Sequence, residues 1–156
     1  MTYLLDSNVW LELLFEQDRA EDVRRFLETV PMAQIAISEF SVYSIGIALA
    51  RNGLEKVFVQ FVSDTLEGTA LDRIRLDTAD LKEVMSVRKR FRLDFDFDDA
   101  YQHVAAEKHD LTLVSFDADF DRTDRGRKTP ADILGEPPVA RDKPPTKPAR
   151  PRRRKP

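Results

Sequence analysis

Acidic residues follow the short apolar runs of this sequence in a pattern that suggests chemistry. Asp6 follows Tyr3-Leu4-Leu5, Glu39 follows the run ending in Ile37 with only Ser38 between, and Asp117 follows Thr112-Leu113-Val114-Ser115-Phe116. A further pair, Asp98-Asp99, opens an amphipathic stretch running to His109. Carboxylates brought together repel, and each pKa rises unless a cation neutralises the group. The chain has no cysteine and two histidines. That composition excludes a thiolate zinc site, thiol catalysis and a disulfide framework, along with a His-rich metal centre. The cation suited to an all-oxygen set is hard, Mg²⁺ or Mn²⁺. Any one of these acids, taken alone, is better explained as a helix cap or as a partner of the helix dipole. Capping does not require acids at all of these places in one small domain.

The elements that would position them alternate. Tyr3–Leu5, Ala33–Ile37, Ile74–Leu76 and Leu111–Ser115 read as short buried strands. Helices are predicted over 9–15, 19–29, from the Ser38 cap to Asn52-Gly53, over 54–66, from Asp77-Thr78 onward and over 97–109. In the last of these, Ala100, Tyr101, Val104 and Ala105 are expected to face inward, and His103 and His109 to lie on the helix surface. The Asp-rich run 93–99 is expected to be a turn with its aromatics in the core. It lacks the glycine and distal glutamate of a calcium loop. Alternation of this kind implies an α/β sandwich around a mainly parallel sheet, where ligands bind beyond the carboxyl ends of the strands. With 156 residues, 42% of them hydrophobic, the chain suits one domain.

The stretches LLDSNVWL at the start and DDAYQHVAAEKHDLTLVSFDADF near the end, with the alternation between them, resemble the PIN domain family. The resemblance spans residues 3–122. It implies a three-layer α/β/α sandwich with a mainly parallel central sheet, and a metal-dependent ribonuclease like the VapC-type toxins of toxin–antitoxin pairs. Carried over residue by residue, it makes Asp6, Asp99 and Asp117 the catalytic and metal-binding acids, with Asp98, Glu39 and Asp119 as further candidate ligands. Ser7, Asn8 and Ser115 become residues that orient those acids or touch phosphate. The implied reaction is Mg²⁺- or Mn²⁺-assisted hydrolysis of an RNA phosphodiester. One position departs from the family. Its second-helix glutamate corresponds to Ser44, and Glu39 lies five residues earlier, about 140° around the helix. The implied partners are an RNA substrate, an antitoxin protein and a second copy of the chain, with Trp10, Leu14, Phe15 and Phe26 as candidate interface. The alternative is a catalytically weak PIN-like module that binds RNA or protein. A receiver or phosphatase is disfavoured, because Ser115–Phe120, beside the acidic pocket at the end of the last strand, holds no lysine and Asp6-Ser7-Asn8-Val9-Trp10 does not fit Asp-x-Asp-x-Thr.

Charge divides the chain. Residues 136–156 hold eight bases, two acids and seven of the nine prolines, which leaves residues 1–135 with a net charge of −9. The expected organisation is a nuclease-like domain over 1–135 and a disordered basic tail over 136–156. Arg125, Arg127 and Lys128 form the expected basic rim for RNA. No apolar run approaches the roughly 20 residues of a membrane span, and the start lacks a basic signal-peptide region, so a cytoplasmic protein without membrane association is expected.

Overall fold

The computed structural model describes residues 1–91 and 96–137. Leu93, Asp94 and Phe95 of the Asp-rich turn, and the basic tail from residue 138 onward, lie outside the described residues. The elements run β1 (Tyr3–Leu5), α1 (Ser7–Leu14), α2 (Ala20–Thr29), β2 (Ile35–Ser38), α3 (Glu39–Arg51), α4 (Glu55–Phe61), β3 (Asp72–Ile74), α5 (Thr78–Arg90), α6 (Phe97–Lys108), β4 (Thr112–Val114) and α7 (Pro130–Leu134). All four strands are parallel, in the order β3-β2-β1-β4. The chain therefore reverses its direction of travel across the sheet between β1 and β4, and a ligand crevice belongs at that switch point.

Successive strand residues face opposite sides, and both sides are covered. Leu4, Ala36 and Leu113 pack with Val84 and Val87 of α5 and with Ala100, Tyr101 and Val104 of α6. Leu5, Ile35, Ile37 and Val114 pack under α1 to α4 with Trp10, Val23, Phe26, Ile45 and Phe61. This is the expected three-layer sandwich. Burial of β1, β2 and β4 on both faces is the reason that their sequences are near-continuous apolar runs.

Several local expectations change. β3 begins two residues before the apolar run Ile74–Leu76, since Arg73 and Ile74 pair with Ile37 and Ser38. The helix expected over 54–66 ends its regular part at Phe61 and continues as a π-helical turn, Val62–Leu66. α7 is an additional element. Thr129 and Asp132 form its capping box, Pro130 opens it, and Gly135 closes it at φ 67°, a left-handed conformation that costs glycine little. Trp10 and Phe26, expected at an interface, are core residues. Phe97, expected in the core, is 40% exposed. No helix among the described residues is long and apolar enough to cross a membrane.

Candidate acidic site at the carboxyl edge of the sheet

Asp6 follows β1 at the switch point, as the residue before α1, and is buried. Its carboxylate accepts hydrogen bonds from four side chains. Ser7 Oγ (3.2 Å) and Gln102 Nε2 (3.3 Å) donate to Oδ1, and Asn8 Nδ2 (2.9 Å) and Ser115 Oγ (2.8 Å) donate to Oδ2. The Asn8 amide also donates to Ser115 Oγ at 2.9 Å, while its Oδ1 accepts the Phe116 backbone N–H at 3.2 Å. Asn8 thus ties the loop after β4 to the start of α1. Burial nevertheless raises the Asp6 pKa to about 6, against the opposing effect of these hydrogen bonds.

Asp99 lies in the first turn of α6, half-buried. Its pKa is raised to about 8, first by burial and then by the negative charges of Asp98, Asp6, Asp117 and Asp96. Asp117 follows β4 and caps a short 3-10 turn, Ala118–Arg122, by accepting the Asp119 N–H at 2.9 Å. The structure therefore brings Asp6, Asp98, Asp99 and Asp117 into one electrostatic neighbourhood. Two further candidates have other partners. Glu39 accepts a 2.8 Å hydrogen bond from Tyr43 Oη, and the exposed Asp119 pairs with Arg122 at 3.6 Å. Ser44 is half-buried on α3.

The oxygen-only donor set suits a hard divalent ion, and the repulsion that lifts Asp99 is what such an ion relieves. Among the described residues, no three His, Asp or Glu side chains form a closed set of ligands. The fit is one of donor chemistry and charge.

Gln102 and Ser41 are polar members of this site that do not stand out in the sequence. Gln102 is buried on α6, one turn after Asp99, and its Nε2 bridges Asp6 to Ser41 Oγ on α3. Ser41 in turn bonds to Ser38, the cap of α3. One buried polar network thus links β1, β4, α3 and α6, the elements that carry the acids or their flanks. A signal does exist: Gln102 is three residues after Asp99, which puts both on one face of a helix.

Other assignments change on burial and pairing. His103 is buried, not on the surface. It packs edge-on against Phe91 with its Nε2 4.0 Å from Asp124, and burial pushes its pKa down. Arg125 is bound to Asp110 and to the Leu111 carbonyl, and Arg127 to Asp121 and to the Ser115 carbonyl. Lys128 is exposed, but its backbone bridges Val114 and extends the sheet beyond β4. Arg19 lies over the Phe116 ring at 4.6 Å, and Phe116 stands between Ser115 and Asp117 in the chain.

A parallel sheet between two helical layers, with carboxylates and their amide and hydroxyl partners gathered at its switch point, is the architecture of the PIN domains. The PIN domain family model matches residues 3–126, and the chain belongs to that family. Among solved structures, a chain of a toxin–antitoxin complex from Klebsiella pneumoniae is 20% identical with a TM-score of 0.64, covering 83% of this chain and 98% of that one. VapC20 of Mycobacterium tuberculosis, a toxin that cleaves the sarcin–ricin loop, is 15% identical with a TM-score of 0.68, covering 77% and 93%. FitAcB from Neisseria gonorrhoeae is 24% identical with a TM-score of 0.64, covering 83% and 98%. At these identities the likeness is one of fold. No curated protein sequence matches the chain.

Proposed function

We propose that this chain is a divalent-metal-dependent endoribonuclease and the toxin of a toxin–antitoxin pair. The observation that carries the reading is the mutual repulsion of Asp99, Asp98, Asp6 and Asp117 at the switch point of a PIN fold. Similarity in fold to toxins and toxin–antitoxin complexes supports it. Asp6, Asp99 and Asp117 would hold Mg²⁺ or Mn²⁺, with Asp98 contributing charge. A divalent ion held there supplies Lewis acidity and neutralises the charge that develops on a scissile phosphate. Asn8, Ser7, Ser115 and Gln102 hold the Asp6 carboxylate in one orientation, so that no rearrangement of the acid is required during the reaction. The Arg19 guanidinium, over the ring that precedes Asp117, supplies positive charge near the acids. An antitoxin would cover the apolar cleft of about 460 Å³ between α1, α2 and α4, whose walls include Leu13, Leu14, Leu27 and Val57 and whose floor includes Trp10 and Phe61.

The test is incubation of the full chain with mixed RNA, with Mg²⁺ or Mn²⁺ and with a chelator. Cleavage is expected only with the metal, and it should be lost in Asp117→Asn. Metal-independent cleavage, or none by the unaltered chain, contradicts the proposal. RNA binding without cleavage favours the second reading, a non-cleaving PIN module, for which the position of Glu39 against Tyr43 is the motivating observation.

A further inference from the structure

The basic rim expected at Arg125 and Arg127 is engaged within the chain, which raises the question of which cations remain to meet RNA at the acidic edge. Arg73 and Arg75 are exposed at the end of the outer strand β3, and neither makes an ion pair or a side-chain hydrogen bond among the described residues. Strand register fixes their place. Leu5 pairs with Ile37 and Ile37 with Arg73, so Asp6, Ser38 and Ile74 are level, and Glu39 and Arg75 stand one residue beyond. Two strand spacings, roughly 9.5 Å, separate β3 from β1, a distance that an RNA strand crosses in one or two nucleotides.

Arg73, Arg75, Ile74 and Glu39 line a cavity of about 210 Å³. The glutamate and the guanidiniums share its wall without pairing directly. Tyr43, one turn along α3, donates its hydroxyl to Glu39 Oε1 at 2.8 Å while 61% of the residue stays exposed. The Glu39 carboxylate is thereby held in place with acceptor capacity to spare, and the tyrosine ring is left open to solvent.

We propose that this cavity is a ribonucleotide subsite beside the acidic centre. Arg73 and Arg75 take a backbone phosphate, Glu39 accepts a hydrogen bond from a ribose 2′-hydroxyl, and a base lies against the Tyr43 ring. Each assignment follows from chemistry. Guanidinium forks match phosphate oxygens. A carboxylate accepts from a hydroxyl and repels phosphate, so the negative wall suits the sugar. An exposed aromatic face stacks on any base. The 2′-hydroxyl contact would favour RNA over DNA. The inference rests on the ribonuclease reading for its choice of ligand, and it removes Glu39 from the candidate metal ligands.

The experiment measures binding of a short single-stranded oligonucleotide, as RNA and as DNA, to the full chain in chelator at several salt concentrations. The double variant Arg73→Gln/Arg75→Gln should flatten the slope of log K against log salt by about 0.7 and weaken RNA binding about fivefold at 0.1 M salt, since the one phosphate they neutralise contributes about 0.7 per decade. Arg51→Gln, at the far end of α3, should leave both unchanged. Glu39→Ala should bring the RNA-to-DNA affinity ratio toward one. Tyr43→Ala should cost about fivefold or more, and Tyr43→Phe little. An unchanged slope in the double variant, or an unchanged RNA preference in Glu39→Ala, overturns the subsite even if the unaltered chain cleaves RNA. The predicted slopes without any cleavage would uphold the subsite and contradict the nuclease reading. No binding to either oligonucleotide contradicts both.

Discussion

Asp6 and Asp99 are both acids with raised pKa values, yet their surroundings differ in a way that neutral substitution exposes. Asp99 is raised by burial and by like charges. Its folded pKa of about 8 exceeds the unfolded value of 3.8, so the native state binds the proton more tightly. Its contribution to stability is therefore complete below pH 4 and is lost as pH rises toward 8. Asp99→Asn removes that pH-dependent penalty. Thermal unfolding should place it about 2–4 °C above the parent at pH 8, equivalent to about 1 kcal/mol after allowance for screening of a half-exposed group, and level with it at pH 4. Asp6 accepts four side-chain hydrogen bonds. Asp6→Asn points an amide NH₂ at two of those donors, a cost of about 1–3 kcal/mol that offsets the relief of removing a buried charge. At pH 8 Asp6→Asn should thus fall short in urea unfolding of the gain that relief of burial alone gives, while Asp99→Asn shows its gain in full. Equal shifts would mean that the Asp6 network is not formed as described.

At the scale of elements, α3 is joined to the site through its cap. Ser38 accepts the Ser41 N–H at 3.0 Å and hydrogen-bonds to Ser41 Oγ, which meets Gln102. Ser38→Ala should cost about 1 kcal/mol through removal of the cap. It should also loosen Gln102, visible as faster amide hydrogen exchange at the start of α6. A lower stability without that change in α6 would separate the cap from the network. The alternation of strands and helices is legible because β1, β2 and β4 are buried on both faces and each early helix shows an apolar stripe. The Ser38 cap and the acids after the strands can be read directly. α6 is legible only in part, because residues 100–106 are all buried and no polar face marks Gln102 and His103. α7 is hidden because its five residues are too few to show a period. Its signal lies in the Thr129-Pro130 start and the Gly135 stop. The pairing of Arg125 and Arg127 is not legible, since their partners Asp110 and Asp121 are brought near by folding.

For the whole molecule, the charge division is the property that matters most to a polyanion. Residues 1–135 carry a net −9 and the last twenty-one residues carry eight bases. An acidic body repels RNA except where arginines line its edge, and the basic segment offsets that repulsion. Deleting residues 137–156, which have little apolar surface by composition, should leave the unfolding midpoint unchanged. The same deletion should flatten the salt dependence of RNA binding by about 0.7 for each phosphate the shortened chain no longer neutralises. Identical slopes would assign the basic segment to another role. Shared binding of one divalent ion by Asp6, Asp99 and Asp117 can be measured without RNA. Titration of Mn²⁺ into the full chain, followed by electron paramagnetic resonance of the free ion, should find a bound ion whose affinity falls at least about tenfold in Asp99→Asn and in Asp117→Asn. Binding that is absent in the parent, or equally strong in both variants, would contradict shared ligation by these acids.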